Sequence, residues 1–368
     1  MGVNSLIKRN RILLFTSILI ICIFGLIMIY SSSNIWAIYK YNDPYKFVKM
    51  QSLFFFIGLV IIYILYNIDY HILKRYSNII LFISILLLIL VLIPGIGTIR
   101  NGSRSWFGIG SLGVQPSEFA KLGLIIFTSK YLSNNIKDIK NIKNGLIPII
   151  LVILLTFILI MLEPDFGTSM VLILTLITML LISGLDLSFF LKLGFFGVLS
   201  IILLIIKAPY RLKRILSFIN PWSDPLGSGY QIIQSLYAIG PGGLLGQGFM
   251  NSRQKYFYLP ESHTDFIFSI ISEEFGFLGI LIISTLFIII FYNSIKISLS
   301  TNDLFGKFLS FGLSIGLIIQ TLLNLAVTSG LLPVTGITLP FISYGGSSLL
   351  VSMISIGIIL NISRGSNK

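Results

Sequence analysis

The sequence is poor in the residues that build disulfide frameworks, metal sites and soluble surfaces. It has one cysteine, two histidines and only 13 acidic residues in 368. Cys22 lies inside an apolar run, so no disulfide framework exists and it reads as a small core residue. His71 and His263 are the only histidines and stand far apart in the chain, which gives no support to a histidine metal site. Charged residues make up 11% of the chain, and the excess of 13 positive charges forms no tract, which argues against a nucleic-acid partner. Strand-period alternation is also missing, and with it the signature of an outer-membrane barrel. The glycine-rich run Gly240-Pro241-Gly242-Gly243-Leu244-Leu245-Gly246 lacks the Lys-Ser/Thr of a phosphate loop and the strand before it. It reads as a flexible loop, or as a place where backbone approaches a ligand.

Apolar runs are what the chain does have. Over half of its residues are hydrophobic, and its mean hydropathy of +0.96 is far above that of soluble domains. Runs such as Ile12–Tyr30, Ile79–Pro94, Ile147–Leu162 and Leu278–Tyr292 recur along the whole length. Crossing about 30 Å of hydrocarbon takes roughly 20 residues at 1.5 Å each. Backbone groups in lipid must be satisfied internally, so such a chain crosses as helices. The expectation is an all-α, polytopic membrane protein, one domain over 1–368, with about ten spans near 12–30, 48–66, 77–97, 115–133, 146–162, 167–184, 188–206, 265–292, 308–328 and 345–361. The basic N-terminus precedes an apolar stretch with no evident cleavage site, so the first helix is read as retained. An even count puts both termini on one side. Lys8, Arg9, Arg11, Lys74, Arg75, Lys137, Lys140, Lys143, Arg364 and Lys368 share that side, which the positive-inside rule makes the cytoplasm. The opposite side holds a long loop at about 207–264, rich in Lys and Arg. Long loops cross regardless of charge, so those cations are either tolerated or hold an anionic ligand.

Two constellations carry candidate chemistry. Asp265 stands where the long loop meets the eighth span, followed by Ser269, Ser272, Gly276 and Gly279 near helical spacing. It is either the acid of a capping box begun by Ser262 or a boundary carboxylate able to act as a general base. Glu118 and Lys121 begin the fourth span after Pro116. They are spaced to pair with each other, and a charged pair within a span faces a cavity or the bundle interior. Glu163-Pro164-Asp165-Phe166-Gly167 reads as a tight turn between two helices. Glu273 and Glu274 cannot both face lipid, and the expected partners are Gln320, Asn324 and Thr328, spaced four apart on the ninth span. Tyr344-Gly345-Gly346-Ser347-Ser348 opens the last span, as an anion-binding helix start or as simple packing.

At these residues the sequence resembles the shape, elongation, division and sporulation (SEDS) family, which includes FtsW, RodA and SpoVE. The matching stretches are 115–121, 163–167, 211–221, 230–248, 255–279 and 330–348. Gly336–Phe341 and the surroundings of His263 are more similar to the FtsW/SpoVE branch than to RodA. The resemblance implies a ten-span SEDS fold in the bacterial cytoplasmic membrane, with its active site facing outside. It implies a peptidoglycan glycosyltransferase that polymerises lipid II, releases undecaprenyl pyrophosphate and works with a class B penicillin-binding protein. The family's catalytic aspartate falls on Asp265, its charged pair on Glu118 and Lys121, and its outer-loop arginine on Arg104. Arg211 and Arg214, with Lys255 and Arg104, are expected donors to pyrophosphate, and Glu261 and His263 beside the base are expected substrate-binding residues. The resemblance fixes no cofactor, and a divalent cation, magnesium or manganese, could help neutralise pyrophosphate. The rival readings are a lipid II flippase and a non-catalytic scaffold for the penicillin-binding protein.

Overall fold

The computed structural model describes residues 3–100, 102–108, 113–186, 188–192, 194 and 218–365. In order, the elements are α1 (Val3–Tyr41), α2 (Lys46–Asn67), α3 (His71–Leu92), a hairpin of β1 (Thr98–Arg100) and β2 (Ser103–Trp106), α4 (Pro116–Asn135), α5 (Ile147–Leu162), α6 (Phe166–Ile182), α7 (Tyr230–Ile239), α8 (Ile267–Leu299), α9 (Leu304–Thr328) and α10 (Gly346–Gly365). By length and composition α1–α3, α5 and α8–α10 can each cross a membrane. The charged α4 and the shorter α6 pack among them, and the protein is a multi-pass membrane protein. Nine expected spans thus correspond to described helices. The seventh, at 188–206, is described only at 188–192 and 194, and the rest of it lies outside the described residues.

The bundle has an apolar core, as a water-soluble one does, but its outside is apolar too and many small polar side chains are buried. Large apolar side chains such as Ile20, Ile23, Phe56, Tyr63 and Ile288 are exposed around the outside, whereas Ser31, Gln51, Ser77, Thr156 and Asn324 are buried. Lipid tails match the first group, and the second group finds partners only between helices. Thr156, Thr175, Ser294, Ser310 and Thr321 bond the carbonyl four residues back, which removes a polar hydroxyl from the apolar interior.

α10 packs along α2, α3 along α4 and α1 along α8, while α9 contacts α8, α4 and α6. Arg11 near the start of α1 and Arg364 near the end of α10 both reach the Tyr66 ring, at 5.7 and 5.4 Å. The start of α1 and the end of α10 therefore share one end of the bundle. The β-hairpin, α7, residues 330–345 and the start of α8 gather at the other, here the hairpin end.

α8 is two half-helices joined at Gly276, whose φ of 60° and ψ of −156° interrupt it. Residues 243–248 lace into the gap. Gln247 and Gly248 donate their amides to the carbonyls of Glu273 and Glu274, and Phe277 and Leu278 donate theirs to the carbonyls of Gly243 and Leu244. A side chain on Gly246 would strike the backbone of Glu274 and Phe275. The glycine run therefore meets a helix backbone, which corrects its reading as a flexible or ligand-facing loop. An interrupted helix is tolerated in a membrane protein when other backbone fills its open hydrogen bonds. The long loop is also not uniformly irregular, since α7 lies within it.

Candidate active site

Asp265 sits in an irregular segment before α8, so its carbonyl and those ahead of it lack helical partners. Each has a tertiary one. His263 O accepts from the Tyr344 amide at 2.9 Å, Thr264 O from Ser343 Oγ at 2.7 Å, and Asp265 O from Asn324 Nδ2 at 2.8 Å. Asn324 also donates to Ile337 O at 2.6 Å. Three successive residues are thus sewn to α9 and to the 337–344 segment, which fixes the direction of the Asp265 side chain. The capping-box reading fails here. α8 begins at Ile267 with Phe266 ahead of it and no side-chain cap, and Ser262 Oγ bonds Ser32 O on α1 at 3.2 Å.

The Asp265 carboxyl is half-buried. Burial, then the negative charges of Glu261 and Asp165, push its pKa up to about 7, opposed by a bond from Thr264. His263 next to it is pressed by burial in the opposite sense, down to about 4, so it is neutral at physiological pH. Its ring lies 4.5 Å from Phe47 and 5.8 Å from Tyr344. Gly336, at φ +74°, passes close to Asp265, and a Cβ there would lie 3.6 Å from Oδ2.

Gly336 also lines a polar pocket of about 270 Å³, together with Gln115, Glu118, Lys121, Gln320 and Thr338. Gly336 is the link between the two constellations, since it passes close to Asp265 and lines the pocket that Glu118 and Lys121 also line. That pair is buried, with Lys121 Nζ 2.9 Å from Glu118 Oε2 and 2.9 Å from Gln320 Oε1. Gln320 is held in turn by Thr338 and Ser348. Lys121 and Gln320 also line a second, mostly apolar cavity of about 450 Å³, walled by Leu122, Leu172, Leu313 and Val351. The polar and the apolar space share Lys121, Val171 and Gln320 in their walls.

Asp165 is more than a turn residue. Its Oδ1 caps α6 through the Thr168 amide at 3.1 Å, and its Oδ2 accepts from Gln115 Nε2 at 2.8 Å and Ser117 Oγ at 2.9 Å. It binds the start of α4 to the start of α6, and its charge is felt at Asp265. Glu163 is fully buried with neither carboxyl oxygen partnered among the described residues, while its carbonyl accepts from Ser103 Oγ of the hairpin. Burial and the Asp165 charge push its pKa up to about 9. The sequence reading missed Gln320, Thr338 and Gly336 as pocket residues. The only sequence signal for them was polar side chains and glycine interrupting apolar runs.

Three expectations are corrected. Lys255 is not a free donor, because its ammonium is buried 3.1 Å from Glu274 Oε1 and bonded to Met250 O and Ser31 Oγ. Glu273 and Glu274 do not reach Gln320, Asn324 or Thr328. Glu273 accepts from Ser252 Oγ and the amides of Arg253 and Gln254, and Glu274 from Ser31 and Lys255. They face the long loop and α1 instead of α9. The start of α10 is also packed, since Gly345 N donates to Gln51 Oε1 and Gln115 N to Ser347 Oγ, so packing explains it and not anion binding. Arg104 lies on β2 with its stem over Gly97. Arg211 and Arg214 fall outside the described residues. Among those described, no group of three or more His, Cys, Asp and Glu side chains is arranged to hold a metal ion.

A family model described as "Cell cycle protein", FTSW_RODA_SPOVE, matches residues 11–368. Stage V sporulation protein E of Bacillus subtilis is 48% identical over 346 residues, covering 94% of each chain. The probable peptidoglycan glycosyltransferase FtsW of Trichlorobacter lovleyi is 41% identical, covering 93% of this chain and 90% of its own. Among solved structures, a chain of a peptidoglycan synthase complex that coordinates polymerization and crosslinking superposes with a TM-score of 0.78 at 30% identity, covering 96% of this chain and 98% of that one. The rod shape determining protein RodA of Thermus thermophilus gives a TM-score of 0.71 at 27% identity, with 96% and 97% covered.

Proposed function

The chain belongs to the FtsW/RodA/SpoVE family of cell cycle proteins, on its FtsW and SpoVE side, and from that premise we propose that it is a peptidoglycan glycosyltransferase polymerising lipid II. The observation that carries the chemistry is Asp265, a half-buried carboxyl poised near neutrality, with Gly336 between it and the polar pocket that Glu118 and Lys121 line. A base works best when its pKa lies near the working pH. Asp265 takes the proton from the 4-hydroxyl of the acceptor's N-acetylglucosamine as that oxygen attacks C1 of the donor's N-acetylmuramic acid. The bond from C1 to undecaprenyl pyrophosphate breaks, and the anomeric centre inverts. One base and no covalent intermediate suffice for such a displacement.

Lys121 spends two of its three N–H bonds on Glu118 and Gln320, and the third is available to a phosphate oxygen at the junction of the two cavities. Developing charge on the leaving group is stabilised best by donors held in place beforehand, and Glu118 with Gln320 holds this one. Arg104 on the hairpin remains a proposed donor, and Arg211 and Arg214 remain proposed donors on the sequence alone. Magnesium or manganese would enter with the pyrophosphate, because Asp165 already spends its oxygens on α4 and α6. The basic end bearing both termini is cytoplasmic in this reading. The hairpin end then faces outside in the bacterial cytoplasmic membrane, and a class B penicillin-binding protein receives the strands.

Asp265→Asn, purified with its partner, should polymerise lipid II at least about 100-fold more slowly than wild type. An unchanged rate would remove Asp265 as the base. Transfer of fluorescent lipid II across vesicles without any glycan product would favour a flippase.

A further inference from the structure

At the hairpin end, where α1 finishes, aromatic rings are exposed in a cluster that the chemistry above does not use. Tyr39 is 76% exposed and Phe257 is 52% exposed. The two meet edge to face at 5.4 Å, and Phe257 also meets Trp36 at 5.8 Å. Phe257 holds a φ of +66°. A bulky residue rarely adopts that left-handed backbone, and strain of this kind persists where surrounding structure enforces it, often at ligand sites. Here it presents a large ring outward.

The cluster is joined to the site by further rings. The Lys40 ammonium lies 5.3 Å from the Trp36 ring and 5.6 Å from Tyr41. Tyr41 meets Phe47 at 5.8 Å, and Phe47 meets His263 at 4.5 Å and Tyr344 at 4.9 Å. His263 is two residues from Asp265, and its imidazole feels the Lys40 charge.

We propose that Tyr39, Phe257 and Trp36 form a binding platform for the glycan strand as it leaves the site, with Lys40 pairing to carboxylates on its peptide substituents. This rests on the proposed polymerase function and adds a second subsite to it. A β-linked hexosamine has an apolar, slightly electropositive C–H face, which fits the negative face of an aromatic ring. Its peptide substituents carry carboxylates, which suit an ammonium already held over rings. An anchoring belt at the membrane surface also uses Tyr and Trp. A belt, however, gives no reason for a left-handed Phe257, for edge-to-face gathering at one spot, or for a ring path ending beside Asp265.

The test measures binding of short, soluble, lipid-free glycan strands bearing peptide stems to the full chain on an Asp265→Asn background, so no turnover is needed. Phe257→Gly removes the ring and relieves the backbone, and Tyr39→Leu removes a ring that is mostly in solvent. Each is expected to weaken binding about tenfold, and in the active chain to shorten the polymer, while Tm stays level or rises for Phe257→Gly. Wild-type affinity in both variants would overturn the platform, as would changed bilayer partitioning with unchanged glycan binding. If the wild-type chain makes no polymer but binds strands through these rings, the polymerase reading fails and the platform stands.

Discussion

A carboxyl whose pKa is raised to about 7 is half ionised at neutral pH, so its basicity is set by its neighbours. Polymerisation should fall about tenfold per pH unit below 7 and level off above it. Glu261→Gln removes the larger of the two negative neighbours, lowers the Asp265 pKa and should move that acid limb to lower pH, read from the rate profile. Glu163 gives a stability prediction. Its folded pKa of about 9 exceeds the ordinary glutamate value, so between roughly pH 4.5 and 9 the folded chain holds a proton that the unfolded chain has released. Stability should therefore drop as pH rises, by up to about 1.4 kcal/mol per unit. Glu163→Gln should flatten that slope, with a gain in Tm over wild type at pH 8 that is absent at pH 5. At this scale the sequence showed Asp265, Glu118 and Lys121 as charges with no reason to be near lipid. It could not separate Lys255 from them, because a cation's partner is set by three-dimensional contact. Glu274, 19 residues on, gives no local sign of pairing with it.

Among elements, the determining contact is the one between α8 and the loop ahead of it. Lys255, Glu274 and Ser31 form a buried polar knot joining the loop, α8 and α1. Lys255→Met should cost about 3–5 kcal/mol by leaving Glu274 buried and unpaired. Lys255→Met with Glu274→Met should regain most of that in detergent unfolding. A substrate-binding Lys255 would instead lose activity in the double variant with stability restored. The helices themselves were legible, since a run of 20 apolar residues has few other fates in water or lipid. α7 and the laced break were not, because they depend on backbone meeting backbone at Gly246 and Gly276. Nothing in the order of side chains marks which two glycines will touch.

Over the whole molecule, an apolar outer surface makes the bundle dependent on the bilayer for solubility, while charge decides which way it faces. The sole cysteine, Cys22, is buried, so introduced thiols report cleanly. Leu226→Cys, at a position 89% exposed at the hairpin end, should react with a membrane-impermeant maleimide in whole cells. Lys137→Cys, at the terminal end, should react only after permeabilisation; the reverse pattern would invert the proposed topology. The break at Gly276 also constrains biosynthesis. The strip that plugs it, 243–248, is synthesised before the second half of α8, and in the proposed orientation it lies on the exported side. The slot at Gly276 can therefore be filled only after the whole of α8 has left the ribosome, so the broken helix enters the membrane with its backbone hydrogen bonds still open and closes them afterwards.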